Sequence, residues 1–163
     1  MIIIFIGPPF AGKDTQAALL SRKLDLPIFS MGGLIRDAHK SGDKVISHAY
    51  NKYTLKGLHI PINIKFGLLK KRIENLDDGF ILNNFPATEE DLNTFNKYLT
   101  KKNLDVHKVF YLNISKEEMK ERFKASSRKR SDDDSKIISV RREIQDRDRI
   151  PVISYFRNLG ILE

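Results

Sequence analysis

The chain opens on an unbroken apolar run, Met1-Ile2-Ile3-Ile4-Phe5-Ile6, which stops at Gly7-Pro8-Pro9. A run without polar alternation predicts a strand buried on both faces of a parallel sheet. Over 13–24 the apolar positions take helical spacing: Ala17, Leu19, Leu20 and Leu24, with Arg22 and Lys23 between them. Leu26-Pro27-Ile28-Phe29 predicts a short strand, and Ser30 can cap a helix over about 31–40 that Gly42 stops. Residues 44–56 are polar and predict a helix, Gly57 to Pro61 a loop, and 62–75 an amphipathic helix through Ile64, Leu68, Leu69 and Ile73. Gly79 to Leu82 predicts a second buried strand, 88–101 a helix through Leu92, Phe95 and Leu99, and Val106 to Ile114 a third strand. Ser115 with Glu118 forms a capping-box signature for a helix to about 124. The Ser-, Arg-, Lys- and Asp-rich stretch 125–135 predicts a loop, followed by one long helix from about 136 to 157.

This alternation of strands and helices implies a doubly wound α/β fold with a mainly parallel sheet flanked by helices. No internal repeat and no Pro- or Ser-rich linker divides the chain. The expectation is a single domain over 1–163, with 30–60 and 125–135 as small excursions from one core.

Composition narrows the chemistry. The chain has 163 residues, 40% of them apolar, enough for a real core. No stretch approaches the ~18–20 apolar residues of a membrane span, and the first six residues lack the basic flank of a signal peptide. The absence of Cys excludes disulfides, thiolate zinc, iron–sulfur clusters and a cysteine nucleophile, and fits a cytoplasmic location. The net charge is +8, and residues 120–149 alone carry 11 basic and 7 acidic side chains. Such an excess is either a solvated face or a surface that attracts phosphates, on small nucleotides or on nucleic acid. The four His, at 39, 48, 59 and 107, show no ligand spacing and read as surface residues.

The sharpest motif follows the first strand. Gly7-Pro8-Pro9-Phe10-Ala11-Gly12-Lys13 fits G-x-x-x-x-G-K in the required strand–loop–helix setting. Glycines let the backbone wrap a phosphate, the helix start adds its dipole, and Lys13 neutralises the β- and γ-phosphates. Ser or Thr usually follows the lysine and helps to hold Mg²⁺; here Asp14 follows, and then Thr15.

With these residues in view the chain resembles the adenylate kinase family of nucleoside monophosphate kinases. GPPFAGKDTQ is similar to that family's G-x-P-G-x-G-K-G-T-Q, SMGGLIRDAHKSG to its S-T-G-D-L-L-R segment, and DGFILNNFPAT to its G-F-L-L-D-G-F-P-R-T. KRSDDDSKIISVRR resembles its G-R-x-D-D segment with the arginine that follows, and RIPVISYFRNLGIL its P-V-I-x-Y-Y segment. The resemblance implies a P-loop NTPase-like sheet, a nucleotide-binding helical insert at about 30–60 and a short lid at about 125–135 without zinc ligands. It implies transfer of the γ-phosphoryl group of ATP, with Mg²⁺, to AMP or another nucleoside monophosphate. Gly7, Pro8, Ala11, Gly12, Lys13, Asp14, Thr15 and Arg122 would lie on ATP. Ser30, Met31, Arg36, Ile60, Asn84 and Asp91 would lie on the acceptor. Lys13, Arg36, Arg130 in the lid and Arg141 on the long helix would serve the transfer itself. The metal would be held by phosphates and water, with Asp14 or Asn83 beside it. The chain is expected to act as a monomer, away from membranes. The family pattern continues beyond the segment matching Gly160-Ile161-Leu162 with a last strand and helix, which would cover the donor base and complete the sheet.

The departures from the pattern fall on the chemistry. Phe10 puts a ring where the family has a loop glycine, Asn83 replaces the acidic residue that orders water on Mg²⁺, and Asn84 replaces the next glycine. Ala87 replaces the arginine of F-P-R-T, Met31 replaces Thr, and Asp91 stands where Gln reads adenine. A carboxylate at 91 suits guanine's N1–H and N2 amine, or adenine's N6 amine alone; the plainer account of Asp91 is a first-turn helix residue favoured by the dipole. Two other readings therefore stay open here. One is a nucleotide-binding protein of the same fold with little catalysis, argued by Phe10, Asn83 and Ala87. The other is a basic P-loop protein associated with nucleic acid, against which no aromatic and basic side chains interleave outside the core strands.

Overall fold

A computed structural model describes residues 1–126 and 134–163. The element order is β1 (Ile2–Ile6), α1 (Lys13–Leu24), β2 (Ile28–Ser30), α2 (Met31–Lys40), α3 (Lys44–Lys52), a 3₁₀ turn (Thr54–Lys56) and α4 (Ile62–Ile73). Then come β3 (Phe80–Asn83), α5 (Glu89–Lys102), β4 (Lys108–Tyr111), α6 (Lys116–Ala125), α7 (Ser135–Asp148) and α8 (Ile150–Asn158). The strands form one parallel sheet in the order β2-β3-β1-β4. Ile161–Glu163 runs alongside β4 through a parallel bridge between Val109 and Leu162.

The opening run reads as it does because β1 is central. Ile2, Ile4 and Ile6 face a large core shared with Tyr50, Leu69, Phe80, Phe95 and Phe156. Ile3 and Phe5 face the opposite core, with Ala17, Leu26 and Ile81. Both faces are covered, so no polar alternation is possible. The parallel order also brings the C-terminal ends of β1 and β3 together, with Phe5 opposite Asn83. The loops that leave those two strands therefore share one edge of the sheet, where ligands of open α/β sheets bind.

Side-chain caps set most helix starts. Ser30 Oγ accepts from Gly33 N at 3.4 Å, Asp43 Oδ1 from Ile46 N at 2.9 Å, and Thr88 Oγ1 from Asp91 N at 3.1 Å. Ser115 Oγ accepts from Glu118 N at 3.0 Å, but Glu118 Oε1 accepts from Arg122 Nε at 2.6 Å, so the capping box is made in one direction only.

Three expected elements differ. The helix expected over 136–157 breaks at Arg149, because Pro151 in the first turn of α8 has no N–H to give and its ring clashes with a carbonyl of the preceding turn. The buried Arg149 is held there by Asp146 Oδ1 and Gln145 Oε1, both at 3.1 Å. The helix expected over 44–56 ends at Lys52; Tyr53 leaves helical geometry at φ −116°, a 3₁₀ turn follows, and Gly57 turns at φ 76°. β4 spans only Lys108–Tyr111 of the expected 106–114.

The histidines are also not the uniform surface set expected from the sequence. His39 is half-buried, stacked on Tyr50 at 4.3 Å, and its Nδ1 lies 2.9 Å from Ser47 Oγ. His107 Nδ1 accepts from Ile2 N at 3.1 Å, which ties the approach to β4 to β1. His59 enters a cleft.

Candidate active site

A cleft of roughly 340 Å³ opens where the loops after β1 and β3 meet α2, the 57–61 loop, α4 and α7. One wall is the loop between β1 and α1. Gly7 is required there, since a Cβ on it would lie 2.1 Å from Leu112 O. Gly12 takes φ 92° as the N-cap of α1, and no side chain caps that helix. The N–H groups of its first turn are thus directed to the cleft, which suits an anion. Lys13 is buried, and its Nζ donates to Gly7 O at 2.9 Å and Pro8 O at 2.7 Å, which holds the ammonium at the loop mouth.

Phe10 does not fill the phosphate space. Its backbone takes φ 62°, and its ring packs edge-on against Phe123 of α6 at 5.5 Å. Arg122 Nη1 donates to Phe10 O at 3.3 Å, so α6 braces the loop from outside. Asn84, where a glycine was expected, takes the same left-handed backbone at φ 59°, and its N–H donates to Phe5 O at 2.7 Å. Both residues supply the conformation without the glycine.

At the base of this wall the Asn83 side-chain amide donates to Asp14 Oδ1. The other end of that amide, Oδ1, is buried without a partner. The Asp14 carboxylate in the cleft lining, with the Asn83 amide behind it, is a hard oxygen donor that fits a Mg²⁺ ion keeping most of its ligands as phosphate and water.

The α4 wall is different in kind. Met31 and Ile35 of α2, then Leu58 and Ile60, give it an apolar surface. Within it sits Lys65, whose Nζ lies 2.8 Å from Asp91 Oδ1 and 3.0 Å from Oδ2; the two side chains are 5% and 2% exposed. Asp91 Oδ2 also accepts from Ala87 N at 3.1 Å. His59 lines the same wall, half-buried, its Nε2 buried without a hydrogen bond and 3.7 Å from Asp148 Oδ2. Burial, then the neighbouring Lys65, lowers its pKa to about 4, so the ring is neutral near pH 7.

Of the residues expected from the sequence, the cleft brings together Ala11, Gly12, Lys13, Asp14, Thr15, Ser30, Met31, Arg36, Ile60, Asn84 and Arg141. Gly7 and Pro8 lie buried beneath the loop with their carbonyls on Lys13. Arg122 sits outside the loop, paired with Glu118. Asp91 lies behind Lys65 and does not line the cleft. Arg130 and residues 127–133 of the expected lid fall outside the described residues. Sequence reasoning missed Lys65, His59 and Gln145. One signal was present: Lys65 falls within the apolar stripe of α4, between Ile64 and Leu69, where a charge needs a buried partner.

The sequence model of the family described as adenylate kinase matches residues 5–161. The chain belongs to the adenylate kinase family. It is 32% identical over 164 residues to an adenylate kinase of Leptospira biflexa, covering 98% of this chain and 88% of that protein. It is 32% identical over 159 residues to one of Corynebacterium urealyticum, covering 96% and 86%, and 32% identical over 160 residues to one of Mycobacterium tuberculosis, covering 97% and 87%. This member of the family is a nucleotide-binding phosphotransferase of the nucleoside monophosphate kinase kind. No described helix is long and apolar enough to cross a membrane.

Proposed function

We propose that the chain transfers the γ-phosphoryl group of ATP to a nucleoside monophosphate, as ATP + AMP = 2 ADP or the equivalent with another acceptor. The observation that carries this reading is that Lys13, Arg36 and Arg141, drawn from α1, α2 and α7, converge on a single cleft. The donor's β- and γ-phosphates take the first-turn N–H groups of α1 and Lys13. Arg36 takes the acceptor's phosphate, and Arg141 spans the space between. An oxygen of the acceptor phosphate attacks the γ-phosphorus in line, and the bond to the β–γ bridging oxygen breaks, leaving ADP. The protein has no covalent step to perform; alignment and fixed cations around the moving charge supply the rate.

Asp14 and Asn83 are the residues that would hold Mg²⁺ through its water. When bound, that ion neutralises charge on the donor phosphates. The outward ring of Phe10 removes one objection to turnover. Segment 30–60 is taken as the acceptor-binding insert and 125–135 as the lid that carries Arg130, and the chain is taken to act as a monomer. A cytoplasmic location fits the cysteine-free composition.

A coupled assay of ADP formation from ATP across AMP, GMP, CMP, UMP and dTMP tests the reading. Turnover with at least one acceptor that requires Mg²⁺ and is lost in Lys13→Ala is the expected result. No turnover with any acceptor overturns it.

A further inference from the structure

Among the described residues, those that take left-handed backbone without being glycine are Phe10, Asp25, Asn84 and Asn103. Asp and Asn tolerate that region because their side chains are short and polar. Phe10 at φ 62° is the exception, a bulky side chain held where glycine is the ordinary choice. A conformation of this kind persists only where the surroundings over-determine it, and such positions gather at functional sites.

Helix α6 supplies those surroundings at two points. Arg122 Nη1 donates to Phe10 O at 3.3 Å, and the Phe10 ring meets the Phe123 ring at 5.5 Å with the planes at 70°, an edge-to-face arrangement. The same Nη1 is 4.0 Å from where a Cβ on Gly12 would stand, so the guanidinium reaches along the loop from Phe10 to Gly12. Arg122 is oriented in turn by Glu118, whose Oε1 accepts from Nε at 2.6 Å, and α6 is seated in the fold through the buried Met119. Both rings are half-buried, and neither belongs to the two cores of the sheet. What this pair joins is the phosphate loop and α6.

The first-turn N–H groups of α1 can meet an anion only as well as the loop before them is held. Pro8 O fixes the start of the loop, receiving Ala11 N–H at 3.4 Å and Lys13 Nζ at 2.7 Å. The contact of Phe10 with Phe123 fixes its middle. A loop ordered before the ligand arrives loses less freedom on binding. Glycine at this position would take the same φ without strain, but it would leave the ordering to the ligand.

We propose that Phe10 is a positioning residue for the phosphoryl donor: its ring, seated on Phe123, clamps the phosphate loop to α6 and keeps the loop backbone in the form that takes a nucleoside triphosphate. The inference rests on the reading that the donor's phosphates lie on this loop, and it adds which side chains hold the loop for them.

Two substitutions approach the contact from opposite sides. Phe10→Asn keeps a left-handed backbone and removes the ring, whereas Phe123→Leu leaves Phe10 in place and removes its partner. Calorimetric titration with ATP and, separately, with AMP reads binding without turnover. Each single variant should bind ATP on the order of tenfold more weakly, the scale of the ordering one side chain provides, and should bind AMP as the wild type does. The double variant should be no weaker than either single one, because the two rings act as one contact. Phe123→Tyr keeps an aromatic ring and should restore wild-type affinity for ATP. Circular dichroism in the far ultraviolet checks each fold, and Phe123→Leu carries the test if Phe10→Asn does not fold.

ATP affinity unchanged in both single variants but lost in Lys13→Ala overturns the inference and leaves the donor on the loop. Equal losses for ATP and AMP also overturn it, since a ring that merely supports the fold weakens both. So do losses that add in the double variant. ATP affinity unchanged in Lys13→Ala as well, or no ATP binding by the wild type, rejects the donor reading and the inference together. The expected binding results in a chain that transfers nothing would reject the transfer and keep Phe10 in this role.

Discussion

The loop wall and the α4 wall of the cleft are built on opposite principles. The loop wall is made of backbone. It consists of N–H groups at the start of α1, two carbonyls that hold Lys13, and a left-handed N-cap at Gly12. A side chain there need not disturb the backbone: Phe10 takes φ 62° while its ring goes to Phe123. The α4 wall is made of side chains. Its one charged contact, Lys65 with Asp91, is nearly inaccessible, and losing either member leaves the other stranded. A wall made of backbone can therefore keep its form while side chains change, whereas a wall made of side chains is rewritten by two substitutions.

The comparison breaks most directly at Lys65. Lys65→Met alone should lower stability by about 3–5 kcal/mol, the cost of an unpaired buried charge. Lys65→Met/Asp91→Leu should recover most of it in urea unfolding. If the single and double variants are equally stable, the pair is not the unit that holds this wall.

On the loop wall the largest effect should fall on rate. Lys13→Ala should lower kcat by about 10²–10³-fold, the range for losing a charged donor to developing charge, with the far-ultraviolet circular dichroism unchanged. An unaltered kcat and an unaltered affinity for ATP would remove Lys13 from the phosphate site.

The α4 wall should also be the acid-labile one. His59 has its folded pKa lowered to about 4 from 6.5. The unfolded chain therefore binds a proton between those values that the folded chain refuses. The contribution is full above pH 6.5, is lost as the pH falls toward 4, and is constant below. With 1.36 kcal/mol per unit, it amounts to about 3 kcal/mol at most. Unfolding midpoints at pH 7 and 4.5 should differ more for the wild type than for His59→Gln; equal differences would mean the ring is not held neutral.

The smallest effect expected is at the base of the loop. Asn83→Asp puts a second carboxylate against Asp14 in place of the amide donor. Stability should fall by about 1 kcal/mol in chelator, and millimolar Mg²⁺ should restore it. A loss that Mg²⁺ leaves untouched would detach this pair from the metal.

Legibility in the sequence followed the same division. The strand, loop and helix around Lys13 were readable because backbone sites need fixed residue types at fixed spacing. The four parallel strands were readable because β1 and β3 are continuous apolar runs. The break at Arg149 is the work of Pro151, which is visible in the sequence but outweighed there by a helical pattern on both sides. The charged pair of the α4 wall was not readable. Lys65 and Asp91 are 26 residues apart, and only the packing of α4 on α5 joins them. Taken singly, Asp91 reads as a helix-start residue, which its N–H on Thr88 also makes it, and His59 reads as surface. The place of Lys65 in an apolar stripe signals that a buried partner is needed, but nothing local says which element supplies it.

The strip Ile161–Glu163 has a bearing on how the sheet behaves among its own copies. Without it, β4 would offer a row of unsatisfied amides and carbonyls as a template for any passing strand. Val109 N–H instead donates to Ile161 O at 2.9 Å, Glu163 N–H to Val109 O at 2.8 Å, and Tyr111 N–H to Glu163 O at 2.6 Å. The opposite margin is β2, three residues long and preceded by Pro27, which has no N–H to offer. One margin is capped and the other is too short to recruit. Among the described residues, the sheet therefore presents little β-edge along which aggregation can start.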